Sequence, residues 1–163
     1  MSTSVQVRPA EPGDISTLLN LISGLAEYER LLHQVSGTPE LLHDNLFGDR
    51  PKAFAAILEE DGVPAGFALW FFNFSTFLCK PGVYLEDLFV LPDKRGKGYG
   101  KALISHVAKF AHDHGCARFE WSVLDWNTPS IDFYKSLGAV PMDEWTVFRL
   151  SGDDIGHLAH GKP

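Results

Sequence analysis

The sequence is poor in cysteine and has no long run of apolar residues. Cys79 and Cys116 are the only cysteines among 163 residues, which is too few for a disulfide framework, and their spacing does not match a structural zinc site. No apolar run approaches the roughly 20 residues that a membrane-spanning helix needs, and residues 1–9 lack the features of a secretion signal. We therefore predict a cytoplasmic protein with no membrane partner.

Basic residues are also scarce relative to acidic ones. The chain has 14 Lys plus Arg against 21 Asp plus Glu, which gives a formal net charge of -7. Such a chain repels nucleic acid on average and attracts small cations, although an acidic surface also serves solubility alone. We expect no nucleic-acid partner and a cationic substrate. With 45% hydrophobic residues, we also expect one globular domain over residues 1–163.

The apolar periodicity predicts a mixed sheet with helices. The polar composition at the C-terminal end predicts a mobile tail over residues 151–163. The predicted strands are Val5 to Arg8, Ala53 to Leu58, Ala65 to Phe74, Val83 to Leu91, residues 118–123 and Trp145 to Leu150. The predicted helices are Asp14 to Leu32, Thr38 to Gly48, Tyr99 to Ala111 and Thr128 to Leu137. A predicted helix connects the strand from Val83 to Leu91 with the strand at residues 118–123. Such a crossover implies that these two strands run parallel.

A basic, glycine-rich segment follows the fourth predicted strand. Residues 95–101 read Arg-Gly-Lys-Gly-Tyr-Gly-Lys and precede a helix, where backbone N–H groups and the helix dipole can bind phosphate. A basic, flexible turn is the alternative. A Walker A loop is disfavoured because Gly96 lies one residue too close to the Gly-Lys pair and Ala102 replaces Ser or Thr. The dinucleotide pattern fails because its third glycine comes one residue early.

Two adjacent carboxylates lie in the strand before this segment. Because side chains alternate along a strand, either Glu86 or Asp87 must face an apolar side. Burying an unpaired carboxylate is costly, so this residue should have an ionic partner, a shifted pKa or a ligand. A structural ion pair with an arginine remains the alternative.

These motifs resemble those of a known family. Residues 85–90 and 95–100 are similar to the acetyl-coenzyme A signature of GNAT N-acetyltransferases, in which Arg-x-x-Gly-x-Gly wraps the pyrophosphate. Residues 126–134, together with Tyr28 and Glu29, resemble the spermidine/spermine (diamine) and thialysine acetyltransferases. The resemblance implies a homodimer and an α/β (α+β) fold. Its mixed sheet would have about seven strands and about four helices in the order β-α-α-β-β-β-α-β-α-β-β.

The resemblance implies acetyl-coenzyme A as co-substrate and no metal. By resemblance, the cofactor contacts are Leu88, Phe89, Val90, Arg95, Gly96, Lys97, Gly98, Tyr99, Gly100, Lys101, Asn127, Pro129, Ser130 and Phe133. The amine contacts are Tyr28, Glu29, Glu86, Asp87, Trp121 and Glu144, with Asp143 as an alternative to Glu144.

The resemblance also assigns the two catalytic residues. Glu86 would accept the proton of the amine, directly or through water, and Tyr134 would protonate the departing thiolate. Taken alone, Tyr134 is equally consistent with a packing role beside Phe133. The implied reaction is direct attack of the amine on the thioester in a ternary complex, with no covalent acetyl-enzyme.

The identity of the amine is less specified. A diamine, a polyamine or a lysine-like amino acid such as thialysine fits the acidic contacts. The loop from Ser75 to Gly82 and the segment between Gly138 and Trp145 depart from the polyamine enzymes, which argues against long polyamines. Two alternatives remain open at this point. One is acetylation of a protein or peptide, and the other is a non-catalytic module that binds coenzyme A.

Overall fold

The computed structural model describes residues 3–161. The chain divides after Ser122 into two compact units, the second of which begins at Val123. The first unit contains the sheet and most of the helices. The second contains two short helices and a long irregular segment.

The first unit is built on a mixed sheet. Over residues 3–161 the sheet has five strands in the spatial order β1-β2-β3-β4-β5. Strands β1 to β4 are antiparallel neighbours, and β5 pairs parallel to β4. The bounds are β1 (Val5–Pro9), β2 (Phe54–Glu60), β3 (Val63–Ser75), β4 (Lys80–Val90) and β5 (Phe119–Trp121).

Helices of the first unit pack against this sheet, namely α1 (Ile15–Tyr28), α2 (Pro39–Phe47) and α3 (Tyr99–Asp113). The second unit contains α4 (Thr128–Ser136) and α5 (Asp153–Ala159). The Thr38 hydroxyl accepts a hydrogen bond from the Leu41 N–H and caps α2, as its sequence predicts. The core between α1, α2 and the sheet contains Leu18, Leu21, Leu46, Ala55, Ile57, Phe67 and Phe89.

A close contact fixes the position of α1 over β4. Cβ built on Gly24 would lie 3.1 Å from the Phe89 ring, so the absence of a side chain lets α1 approach β4 at this point. The approach brings the C-terminal end of α1 next to the second half of β4. Glu29, which directly follows α1, and Asp87 on β4 therefore belong to one region.

The structure corrects the prediction for the C-terminal region. Residues Trp145 to Leu150 form no strand, and Trp145 and Phe148 are 75% and 92% exposed. Alternating apolar residues favour an extended chain, but a strand also needs a neighbour for its backbone hydrogen bonds. The expected count of about seven strands was therefore wrong for residues 3–161, where the sheet has five. The segment predicted to be a mobile tail contains α5, whose first turn carries the favourable acidic residues Asp153 and Asp154, and its mobility stays a prediction.

Two smaller expectations about local structure also change. The first helix ends at Tyr28 rather than Leu32, because Arg30 adopts a left-handed conformation with φ of 62°. Asp14 occupies the N-cap position of α1, but its carboxylate caps no N–H of that helix; it pairs with the Arg8 guanidinium at 2.7 Å and accepts a hydrogen bond from the Glu11 N–H at 2.8 Å.

Candidate functional site

The glycine-rich segment forms an open turn between β4 and α3. Gly96 and Gly98 have φ of 78° and 82°, a conformation that side-chain-bearing residues rarely adopt. Gly98 is the N-cap residue of α3, which is 15 residues long, and a Cβ at either glycine would have no contact within 4 Å beyond the adjacent chain. The first N–H groups of a long helix therefore face an uncrowded turn, which is the arrangement that binds phosphate.

Arg95 joins this turn to α1. Its Nε donates a hydrogen bond to the Val90 carbonyl oxygen at 3.0 Å, and its guanidinium carbon lies 4.3 Å from the centroid of the Tyr28 ring. The same guanidinium is 5.7 Å from the Phe89 ring centroid. The two aromatic rings hold the guanidinium in place, and Arg95 as a whole residue is exposed.

A buried carboxylate ties down the rest of the turn. Glu60, at the end of β2, is only 9% exposed and receives hydrogen bonds from Lys94, Lys97 and Tyr99. The Lys97 ammonium lies 2.7 Å from Glu60 Oε1. The bonds from Lys94, Lys97 and Tyr99 lower the pKa of Glu60 to about 2. Nothing in the sequence pattern indicates Glu60, because its partners follow it by 34 to 39 residues.

Strand β4 changes its register at the predicted carboxylate pair. Leu85 pairs with Trp70 and Asp87 pairs with Leu69, so Glu86 is an extra residue in a β-bulge. Strand β5 pairs with β4 only as far as Leu85. In the described part of the chain, the β5-facing edge of β4 beyond Leu85 thus has no strand partner, and its backbone N–H groups can serve a ligand.

The two carboxylates of the bulge have different surroundings. Glu86 is exposed, whereas Asp87 is half-buried. Burial raises the pKa of Asp87 to about 7, with further contributions from the negative charges of Glu86 and Glu29. Burial also raises the pKa of Glu29, the C-cap residue of α1. The prediction that one carboxylate of the pair faces an apolar side therefore identifies Asp87.

This environment gives Asp87 a pH-dependent effect on stability. Because its pKa is raised from 3.8 to about 7 in the folded state, ionising it costs folding free energy, and this cost grows as the pH rises from about 4 to 7. We expect Asp87→Asn to increase the free energy of unfolding by on the order of 2 kcal/mol at pH 8 and by little at pH 4. Urea unfolding at both pH values measures this, with exposed Asp93→Asn as the control. An equal gain at both pH values would contradict the assignment.

The second unit holds, on and near α4, the predicted site residues that lie between residues 126 and 134. Asn127 is buried and caps α4 by accepting a hydrogen bond from the Ser130 N–H at 3.4 Å. Pro129 lies in the first turn, where its missing N–H costs nothing. The rings of Phe133 and Tyr134 lie 5.3 Å apart.

Two predicted amine contacts lie elsewhere. Trp121 is half-buried at the end of β5, and its ring packs 5.0 Å from the Phe119 ring. Glu144 is exposed on a turn in the second unit, as is Asp143. Within the first unit, Arg95 contacts Tyr28, and the charges of Glu29 and Glu86 act on Asp87.

Membrane-spanning helices and metal clusters are two other kinds of feature that a chain of this size can carry. Within residues 3–161, none of the helices combines the length and the apolar character needed to cross a membrane. In the same range, no three His, Cys, Asp or Glu side chains are grouped so as to hold a metal ion.

Comparisons with known proteins agree with this geometry. Residues 20–139 match the model of the Acetyltransferase (GNAT) family. A thialysine N-epsilon-acetyltransferase from Sus scrofa is 40% identical, over 96% of this chain and 98% of the relative. An L-ornithine N5-acetyltransferase from Arabidopsis thaliana is 34% identical, over 92% of this chain and 86% of the relative. The solved structure of an integron cassette protein from V. cholerae superposes with a TM-score of 0.79 at 27% identity, over 96% of this chain and 98% of that one.

Proposed function

The chain belongs to the GNAT acetyltransferase family, and from this premise we propose that it transfers the acetyl group of acetyl-coenzyme A to a primary amine of a small cationic substrate. The observation that carries the proposal is the association of an open phosphate-binding turn with three carboxylates on α1 and β4. A cofactor with phosphates and an amine with positive charge need these two features.

The turn between β4 and α3 fits the pyrophosphate of coenzyme A. The backbone of residues 96–100 and the α3 N-terminus supply N–H donors, and Arg95 and Lys101 present exposed positive charges. The unpaired edge of β4 from Leu88 to Val90 offers N–H groups to the pantetheine arm and to the thioester carbonyl. Bound acetyl-coenzyme A supplies the acetyl group as an activated thioester.

The acidic cluster formed by Glu29, Glu86 and Asp87 receives the amine. Burial, followed by the negative charges of Glu86 and Glu29, raises the pKa of Asp87 to about 7, and an entering ammonium group relieves the repulsion between these charges. Glu86, as the exposed member, accepts the amine proton directly or through water, and the neighbouring Asp87 carboxylate attracts the ammonium group. Tyr28, Trp121 and Glu144 are the further proposed amine contacts.

Tyr134 is the proposed acid that protonates the departing thiolate. This role rests on the pattern of residues 126–134, and the capped start of α4 at Asn127 supports it because it holds the helix that carries the tyrosine. Asn127, Pro129, Ser130 and Phe133 are the proposed cofactor contacts of this segment. The amine attacks the thioester directly, so neither cysteine needs to carry the acetyl group.

The names of the relatives narrow the substrate class. They specify thialysine and L-ornithine, which are amino acids with a second amine at the end of the side chain. We therefore place thialysine, ornithine, lysine and short diamines ahead of long polyamines. The acidic cluster supports this choice because it suits the charged end of such a side chain.

The test is thiol release from acetyl-coenzyme A in the presence of thialysine, ornithine, lysine, putrescine, spermine and a peptide with a free N-terminus. We expect saturable release with the diamino acids and kcat/KM at least about tenfold higher for them than for the peptide. Preference for the peptide would establish the protein acetyltransferase alternative. Binding of coenzyme A without amine-dependent release would establish a non-catalytic module.

Three further assignments accompany this proposal. We propose a single functional domain, because the family match over residues 20–139 continues across the division after Ser122. We propose a homodimer on the basis of family membership. We also propose a cytoplasmic location, which the free thiols of Cys79 and Cys116 support because a reducing compartment preserves them.

A further inference from the structure

We propose that Glu60 is a positioning residue for coenzyme A, because it holds the turn between β4 and α3 in the conformation that binds phosphate. The inference rests on the proposed function of that turn. Glu60 itself lies on β2, outside the glycine-rich segment, and acts through Lys94, Lys97 and Tyr99.

The three partners of Glu60 bracket the flexible part of the turn. Lys94 precedes Gly96, Lys97 lies between Gly96 and Gly98, and Tyr99 begins α3 directly after Gly98. The two glycines are the points at which the backbone has most conformational freedom, and ordering them costs entropy. One side chain that bonds to residues on both sides of each glycine removes this freedom before a ligand arrives.

The members of this cluster differ in how deeply they are buried. Glu60 and Tyr99 are 9% and 6% exposed, so a Tyr99 hydroxyl without Glu60 would lose a hydrogen-bond acceptor in a largely buried position. Lys94 and Lys97 are more exposed, with 28% and 45% of their side chains accessible. The carboxylate and the phenol therefore form the fixed part of the cluster, to which the two lysines attach the turn.

Charge alone leads to the opposite expectation for coenzyme A. Glu60 places a negative charge beside a site for a polyanion and neutralises two ammonium groups that would otherwise attract phosphate. If electrostatic attraction dominated, removal of this charge would tighten binding. If positioning dominates, as we infer, its removal weakens binding because the turn loses its anchors. The sign of the change distinguishes the two effects.

The experiment measures coenzyme A binding by calorimetry to wild type and Glu60→Gln. We expect Kd to rise about tenfold in the variant, and KM for acetyl-coenzyme A to rise in proportion while KM for the amine and kcat change little. The matched control is Glu59→Gln, which removes the neighbouring carboxylate that pairs with Arg8 at 2.7 Å. The control should retain the wild-type Kd.

Each outcome has a defined meaning. An unchanged or lower Kd in folded Glu60→Gln would overturn the positioning role and leave the proposed function intact. Absence of coenzyme A binding by wild type would overturn the proposed function itself. If Glu60→Gln does not fold, Tyr99→Phe removes one anchor and keeps the buried ring, and we expect its Kd to rise about threefold. An unchanged Kd in Tyr99→Phe would then contradict the proposal.

Discussion

Replacing Tyr134 with phenylalanine should lower kcat for thiol release by about 100-fold, which is the effect expected when a positioned general acid is lost. The thiolate of coenzyme A must gain a proton when it leaves, and the phenol is the proposed donor. Phenylalanine keeps the ring beside Phe133, where the two ring centroids lie 5.3 Å apart, so packing on α4 should be preserved. Steady-state kinetics with saturating amine and acetyl-coenzyme A measure the effect.

The matched control for this prediction removes a phenol that has no proposed role in the reaction. Tyr84, on β4 of the first unit, shares a hydrogen bond with Ser122. Tyr84→Phe removes a phenolic oxygen, as Tyr134→Phe does. We expect kcat of the control to stay within about twofold of wild type. Equal kcat for wild type and Tyr134→Phe would show that water or another group protonates the thiolate, and Tyr134 would then have only a packing role.

Replacing Asp87 with asparagine should lower kcat/KM for the amine by about 100-fold and change the pH dependence of the reaction. The pKa of Asp87 is raised to about 7, mainly by burial and then by the charges of Glu86 and Glu29, so Asp87 gains a proton as the pH falls through about 7. Protonated carboxyl groups neither attract the ammonium group nor accept its proton. The wild-type rate should therefore fall below pH 7, and this acidic limb should disappear in Asp87→Asn.

A comparison with Glu86→Gln separates the two carboxylates of the bulge. If Glu86 is the immediate proton acceptor, as we propose, Glu86→Gln lowers kcat at every pH and keeps the acidic limb, whereas Asp87→Asn lowers kcat/KM for the amine and removes the acidic limb. A wild-type rate that is independent of pH between 5 and 8 would contradict the role of the cluster. The prediction also implies a trade-off, because the same Asp87→Asn change should make the protein more stable at pH 8.

Much of the first unit could be predicted from local patterns. The cap at Thr38 and the start of α3 at Tyr99 depend on residues close in sequence, and the structure has both. The predicted strand from Trp145 to Leu150 failed for a different reason. Alternation describes a single segment, whereas a strand depends on a hydrogen-bonded neighbour elsewhere in the chain.

The candidate site likewise has some features that local sequence patterns predict and others that they do not. The glycine-rich turn and the pair Glu86 and Asp87 are contiguous in sequence, so the sequence alone indicates their chemistry. Which carboxylate is buried depends on the bulge in β4, which no alternation pattern predicts. Local sequence patterns do not predict the role of Glu60, because this role depends on hydrogen-bond partners that follow Glu60 by more than 30 residues.

The most direct test of the proposed acetyl transfer is identification of the product by mass spectrometry after the protein is incubated with acetyl-coenzyme A and thialysine, with thiol release measured in the same samples. We expect one acetyl group on the side-chain amine of thialysine for each thiol released, and none retained on the protein. Bound coenzyme A with no acetylated small amine, or acetylation of a peptide alone, would contradict the proposed transfer.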